Sequence, residues 1–381
     1  MKIAVLSSHT PSLFWFRMDM MREFINNGHT VIALGTDPEA EWQEKFKEFD
    51  IEYRQLYVER NGFNPFKDLK TLAELITFMN EEKPDKIFAY QAKTVIYGSI
   101  AARLKGITEV YPLIAGLGSI FRGNGIKNKI IGAIMKIEYK IACSCSRKVF
   151  FQNKDDRSEF IRLGLIEAEK TVIINGSGVN LDKFKQAPLP EQPAFLLIGR
   201  LIRDKGIIEY LEACKMIKKE YPEVRCILVG PYDTNPSAIK PEEIKSYIDD
   251  GIVEYFGEQN DVRQFIAQCS TYVLPSYHEG TPKTVLEAMA MGRSIITTNA
   301  PGCRETVQNN INGYLVEVKD IKGIVEKMRN FILNPVLNLK MGKASLEIVK
   351  EKYDVKNVNQ TIMDTMGLIS WSNMNCYINS K

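Results

Sequence analysis

Histidine is scarce and patterned metal ligands are missing. His9, His29 and His278 stand far apart, with no His-x-x-x-His and no Asp-x-Asp anywhere. Nothing in the sequence therefore calls for a metal. The seven cysteines, at 143, 145, 214, 226, 269, 303 and 376, are odd in number and contain no Cys-x-x-Cys. That argues against a disulfide framework or a zinc site and fits idle thiols in a reducing compartment. No apolar run nears the ~18 residues of a membrane-spanning helix. The stretch Ile3–Leu6 is shorter than the apolar core of a secretory leader, about 7–15 residues, and reads as a buried strand. A strong charge of either sign is also missing: 50 basic and 47 acidic side chains leave +3. This excludes a dedicated nucleic-acid binder, which carries a marked basic excess.

What is present is an ordinary globular composition over 381 residues, 45% hydrophobic and 25% charged. That length suits two domains. Short apolar runs (Lys2–Ser8, Thr30–Leu34, Lys86–Tyr90, Glu109–Leu113, Lys148–Gln152) alternate with helical patterns such as Phe16–Asn27, Phe66–Glu82 and Thr94–Leu104. The alternation predicts an α/β fold with a mostly parallel sheet covered on both faces. The run Gln186-Ala-Pro-Leu-Pro-Glu-Gln-Pro193 reads as a linker. The same grammar restarts after it. The expected division is 1–187, then 188–355, with a helix around 356–370 returning to the first domain and a tail at 371–381. Two such units suggest a cleft, because open α/β sheets bind ligands beyond the carboxyl ends of their strands.

Two segments could carry chemistry. Gly199-Arg-Leu-Ile-Arg-Asp-Lys-Gly206 follows one apolar run and precedes a helix. Gly199 lets the backbone approach a ligand, while Arg200 and Lys205 lie near a helix N-terminus, where an anion is favoured. Alone, the segment fits a diphosphate site and an ordinary solvated loop equally well. The second segment, Pro275-Ser-Tyr-His-Glu-Gly-Thr-Pro-Lys-Thr284, leads into a helix carrying Glu287. Gly280, Thr281, Lys283 and Thr284 could offer backbone N–H groups to phosphates. A carboxylate such as Glu279 or Glu287 can accept two hydroxyls of a sugar or ribose. Two glutamates at this spacing are common, and alone they read as a turn and a helix residue.

The combination is more telling. Together with Phe151-Gln-Asn-Lys-Asp-Asp156, Asn175-Gly-Ser-Gly-Val-Asn180, Val273-Leu-Pro-Ser-Tyr277 and Thr297–Glu305, it resembles the GT4 family of retaining glycosyltransferases over nearly the whole chain. Gly116-Leu-Gly-Ser119 is similar to bacterial capsule, O-antigen and protein-glycan members, which extend sugars on undecaprenyl diphosphate. The resemblance implies the GT-B fold, two Rossmann-like doubly wound domains facing across a cleft. It implies that Arg200 and Lys205 clamp the donor diphosphate and steady the leaving UDP, that Glu279 meets the donor sugar, and that Glu287 holds the ribose. Gly199 and Tyr255 belong to the same donor side, Tyr255 where the nucleobase packs. Ser8, Arg17, Lys93, Gly116 and Gly118 would line the acceptor or phosphate loops. Two departures stand out: His9-Thr-Pro-Ser12 replaces a Gly-Gly pair near the phosphates, and Ala115 stands where relatives place a histidine.

The near-neutral total conceals one basic segment. Arg122, Lys127, Lys129, Lys136, Lys140, Arg147 and Lys148 face a single acid, Glu138, between Arg122 and Lys148. Isoleucines at 130, 131, 134, 137 and 141 are interleaved. The pattern fits a core helix with a solvated basic face, and it fits a helix lying on an anionic membrane. A lipid-linked acceptor favours the membrane, with Lys127, Lys129 and Lys136 touching it. The expectation is a cytoplasmic enzyme held peripherally at the inner face, using a UDP-sugar (plausibly of an N-acetylhexosamine), no metal and no other cofactor. A soluble acceptor, a UDP-sugar epimerase and a non-catalytic sugar-nucleotide binder are the competing readings.

Overall fold

The computed structural model describes residues 1–59, 64–116, 126–235 and 237–369. The chain forms two compact units: Met1–Ser177 together with the chain from Val355 on, and Gly178–Asp354.

In the first unit seven strands form one sheet: β1 (Lys2–Leu6), β2 (Thr30–Gly35), β3 (Ile51–Gln55), β4 (Lys86–Tyr90), β5 (Val110–Ile114), β6 (Val149–Phe151) and β7 (Thr171–Ile173). Their order is β3-β2-β1-β4-β5-β6-β7, and the pairings, such as Ile3 opposite Val31 and Lys86, are parallel. The connecting helices are α1 (Thr10–Asn26), α2 (Glu39–Lys47), α3 (Pro65–Glu82), α4 (Ala92–Leu104), α5 (Ile126–Ser144) and α6 (Lys154–Arg162). Because helices cover both faces, β1 is an unbroken apolar run rather than an alternating one. Its side chains still divide by face. Ala4 and Leu6 join Leu75, Val95 and Ala142 in one core, while Ile3 and Val5 join Leu13, Met20 and Phe24 in the other.

The second unit repeats the scheme with β8 (Ala194–Ile198), β9 (Arg225–Val229), β10 (Glu254–Tyr255), β11 (Thr271–Leu274), β12 (Ser294–Thr298) and β13 (Gly313–Val316). The order is β10-β9-β8-β11-β12-β13, again parallel. Its helices are α7 (Ile207–Glu220), α8 (Pro241–Asp249), α9 (Arg263–Ala267), α10 (Lys283–Ala290), α11 (Ile321–Leu333) and α12 (Pro335–Lys352). The last helix, α13 (Val355–Met366), packs with the first unit: its Val358, Ile362 and Met366 share a core with Ile3 and Phe24.

The division differs from the expected 187/188. It falls at Ser177/Gly178, and the proline-rich run lies inside the second unit. The reason is Arg293, fully buried, whose guanidinium donates to the carbonyls of Ala187 (2.6 Å) and Pro188 (2.9 Å) as well as Ile266 (2.8 Å). Prolines bring carbonyls without N–H groups. A buried arginine satisfies them and fastens a segment that composition alone marks as a linker.

Candidate active site

In the second sheet the chain leaves β8 in one direction to β9 and β10, and in the other to β11, β12 and β13. The crevice of such a sheet lies at this reversal, beyond the ends of β8 and β11. Both candidate segments emerge there. Gly206, at φ +71°, is forced by packing: a Cβ on it would lie 2.1 Å from the Pro275 carbonyl oxygen. The Asp204 carbonyl accepts from Tyr277 N–H (2.8 Å) and Ser276 Oγ (2.9 Å). The Glu279 N–H donates to the Pro301 carbonyl at 2.9 Å. Loops from β8, β11 and β12 are therefore fastened to one another by backbone groups.

On this frame Lys205 Nζ meets Glu279 Oε1 at 2.5 Å. The Lys205 stem packs over Gly199, where a Cβ would stand 3.8 Å from Lys205 Cγ. Arg200 turns to a partner that sequence reading missed: its Nη1 lies 2.6 Å from Asp233 Oδ2, in the loop after β9. Thr284, in the first turn of α10, is held by Tyr272, whose hydroxyl is 2.7 Å from Thr284 Oγ1 and 3.0 Å from the Ile198 carbonyl. Gly280 and Thr281 are buried and lead into α10, with Lys283 half-buried at its start. Glu287 is 8% exposed and has no side-chain hydrogen-bond partner among the described residues. Burial pushes its carboxyl up to about 7, against the pull of Lys283 and Lys183 and with a small further push from Asp261. A dehydrated carboxylate of this kind gains most from hydroxyl donors. Tyr255 donates its hydroxyl to the Gly230 carbonyl (2.9 Å), and its ring meets Tyr232 edge-on at 5.7 Å.

In the first unit the reversal lies between β1 and β4. Gln91, a non-glycine at φ +73°, ties the two strand ends together. Its Oε1 accepts from Ser8 N–H (2.8 Å), Ser8 Oγ (2.7 Å) and Ser7 Oγ (3.1 Å). Ser8 is thus part of an internal network rather than a free phosphate contact. Arg17 is 3% exposed, with its guanidinium carbon 5.0 Å from the Tyr90 ring and 5.6 Å from that of Phe88. Burial lowers its pKa to about 10, and its Nε has no partner. It is therefore not on an open loop. Lys93 is likewise occupied: it pairs with Asp68 at 2.7 Å, both largely buried, beside Tyr97, whose hydroxyl donates to Glu138 at 3.0 Å. Gly116 takes φ +128°; Gly118, Arg122 and the 371–381 tail lie outside the described residues, as does the Lys127 side chain. On α5, Lys129 is exposed and Lys136 half-buried, while Ile130, Ile137 and Ile141 are 57%, 63% and 46% exposed.

The family profile for glycosyl transferases group 1 matches residues 179–347, and that for glycosyl transferase 4-like proteins matches 2–153. The chain is a glycosyltransferase, with a 4-like domain in its first half and a group 1 domain in its second. It is similar to the N,N'-diacetylbacillosaminyl-diphospho-undecaprenol alpha-1,3-N-acetylgalactosaminyltransferase of Campylobacter jejuni, at 29% identity covering 90% of this chain and 92% of that one. It is also similar to the UDP-Gal:alpha-D-GlcNAc-diphosphoundecaprenol alpha-1,3-galactosyltransferase of Escherichia coli, at 27% identity over 77% and 78% of the two chains. Among solved structures, Anabaena HepE in complex with UDP and glucose superposes with a TM-score of 0.77 at 17% identity, covering 96% of this glycosyltransferase and 99% of HepE. That likeness establishes the GT-B fold. No helix among the described residues is long and apolar enough to cross a membrane.

Proposed function

We propose that this glycosyltransferase moves a sugar from a UDP-sugar to a glycan carried on undecaprenyl diphosphate, with retention of the anomeric configuration. The observation that carries the reading is the group at the ends of β8 and β11: Lys205 against Glu279, Arg200 in the same loop as Lys205, and the buried Glu287 one turn into α10. Arg200 and Lys205 receive the diphosphate, Glu287 accepts the ribose hydroxyls, and Glu279 accepts from the donor sugar. As the bond from anomeric carbon to phosphate oxygen breaks, charge grows on the leaving UDP, where the two cations are already placed. The acceptor hydroxyl attacks from the same face and passes its proton to the departing phosphate oxygen, so no protein nucleophile is needed. The charge of the leaving group falls to these side chains rather than to a metal, and turnover should persist in EDTA.

The names of the two relatives support a lipid-diphosphate acceptor, and the Campylobacter enzyme's name supports an N-acetylhexosamine donor. The exposed isoleucines and lysines of α5 support peripheral attachment to an anionic membrane at its cytoplasmic face, with acceptor recognition assigned to the first unit. The test is UDP release from a panel of UDP-sugars, with and without lipid-linked acceptor, and the anomer of the product by NMR. Release that needs the lipid, with an α-linked product, is expected. Equal release without it would leave the soluble-acceptor or epimerase reading. UDP binding with no turnover for any pair would leave a non-catalytic binder.

A further inference from the structure

Asp233 belongs to no segment that marks the donor site, yet it holds one of that site's two cations. Its Oδ2 is 2.6 Å from Arg200 Nη1, with the Asp233 side chain 14% and the Arg200 side chain 41% exposed. The placement is built by backbone. Leu201 N–H donates to the Pro231 carbonyl (2.9 Å), Arg203 N–H to that of Ser237 (2.9 Å) and Ile239 N–H to that of Leu201 (2.9 Å), which ladders the loop after β9 onto the loop after β8. Asn235 N–H donates to Asp233 Oδ1 at 2.7 Å and fixes the carboxylate. With Lys205 on Glu279, each cation awaiting a diphosphate thus carries a resident carboxylate.

We infer that Asp233 sets the affinity of the donor site by standing in for a phosphate on Arg200 when the site is empty; the inference rests on the donor-site reading above. A diphosphate that reaches Arg200 meets a guanidinium already engaged, beside a fixed negative charge that repels it. The penalty falls on UDP-sugar and more heavily on UDP, whose freed terminal phosphate carries the added charge. Such weakening raises KM and, acting most on the product, hastens its release. Asp233 is therefore a positioning residue that keeps the product from occupying the site. Glu279 differs, since a freed Glu279 has donor-sugar hydroxyls to accept.

The test is UDP binding by calorimetry to full-length wild type, D233N, D233E, R200A and the R200A/D233N double variant, with steady-state kinetics of D233N. Asparagine keeps the Oδ1 acceptor for Asn235, and aspartate-to-glutamate keeps the charge. D233N should bind UDP about two- to tenfold more tightly, or about 0.4–1.4 kcal/mol. Its KM should fall, and its kcat should hold or fall where release is limiting. D233E should stay within about twofold of wild type. The gain of D233N should vanish in the R200A background, as coupling through one ion pair requires. Unchanged or weaker UDP binding in D233N, with R200A still weakened, would overturn the role of Asp233 and leave the donor site standing. Unaltered UDP binding in R200A would overturn both.

Discussion

In the proposed donor site, Glu287 sets stability against function. Its carboxyl is raised from the ordinary 4.5 to about 7 by burial. The folded state therefore holds the proton more tightly than the unfolded chain. This group's contribution to stability is full below about pH 4.5 and declines as pH rises to about 7. Ligand binding runs the other way, because only the ionised form accepts two hydroxyls. UDP affinity should rise with pH through about 7, and Glu287→Gln should flatten that profile. The same variant should unfold at a higher temperature than wild type at pH 8, while binding UDP roughly 10–100-fold more weakly. A variant that loses binding and stability together would show that Glu287 is a packing residue. Arg200→Ala and Lys205→Ala should lower kcat with acceptor KM nearly unchanged, because their charges act on the leaving diphosphate.

Residues differ in how far sequence reveals them. Arg200, Lys205, Glu279 and Glu287 are legible because each lies within one strand–loop–helix segment, whose order along the chain is also its order in space. Asp233 and Gln91 are not, because each acts on a neighbouring strand end, at Arg200 and at Ser8. Adjacency of that kind is set by sheet order, and no local pattern records it. Arg17 and Lys93 show the converse. Their places in the chain are the expected ones, but rotamer and partner decide whether a charge faces a ligand, and here Tyr90 and Asp68 take them inward.

At the scale of elements, alternation along the chain is enough to read two Rossmann-like sheets, because parallel strands are buried on both faces and stand out as short apolar runs. Boundaries are less legible. α1 begins at Thr10, ahead of the apolar spacing that starts at Phe16, because Pro11 in its first turn tolerates the missing N–H. α5 remains two-sided. Tyr139 and Ala142 are buried and Glu138 turns inward to Tyr97, which orients the helix so that Ile130, Ile137 and Ile141 face outward with the lysines. Replacing Lys129, Lys136 and Lys140 by serine should lower binding to anionic liposomes, and salt should do the same to wild type. Catalysis on a detergent-dispersed acceptor should persist. Liposome binding unaffected by either change would return α5 to an ordinary solvated helix. Gly206→Ala is the element-level test of the frame: a side chain against the Pro275 carbonyl separates the two donor loops and should cut kcat/KM at least tenfold.

At the scale of the molecule, the second unit is one continuous stretch, Gly178–Asp354, while the first is made of two. Val358, Ile362 and Met366 complete a core begun by Ile3 and Val5. On the ribosome this imposes an order. The second unit can close as soon as Asp354 emerges, whereas the first waits for Val355–Met366, with the core around Ile3 and Val5 incomplete until then. Chains stopped after Asp354 should carry a folded, UDP-binding second unit tethered to a protease-sensitive first one. The unit whose first segment is made ahead of the second should thus be the one left open longer to proteases and chaperones.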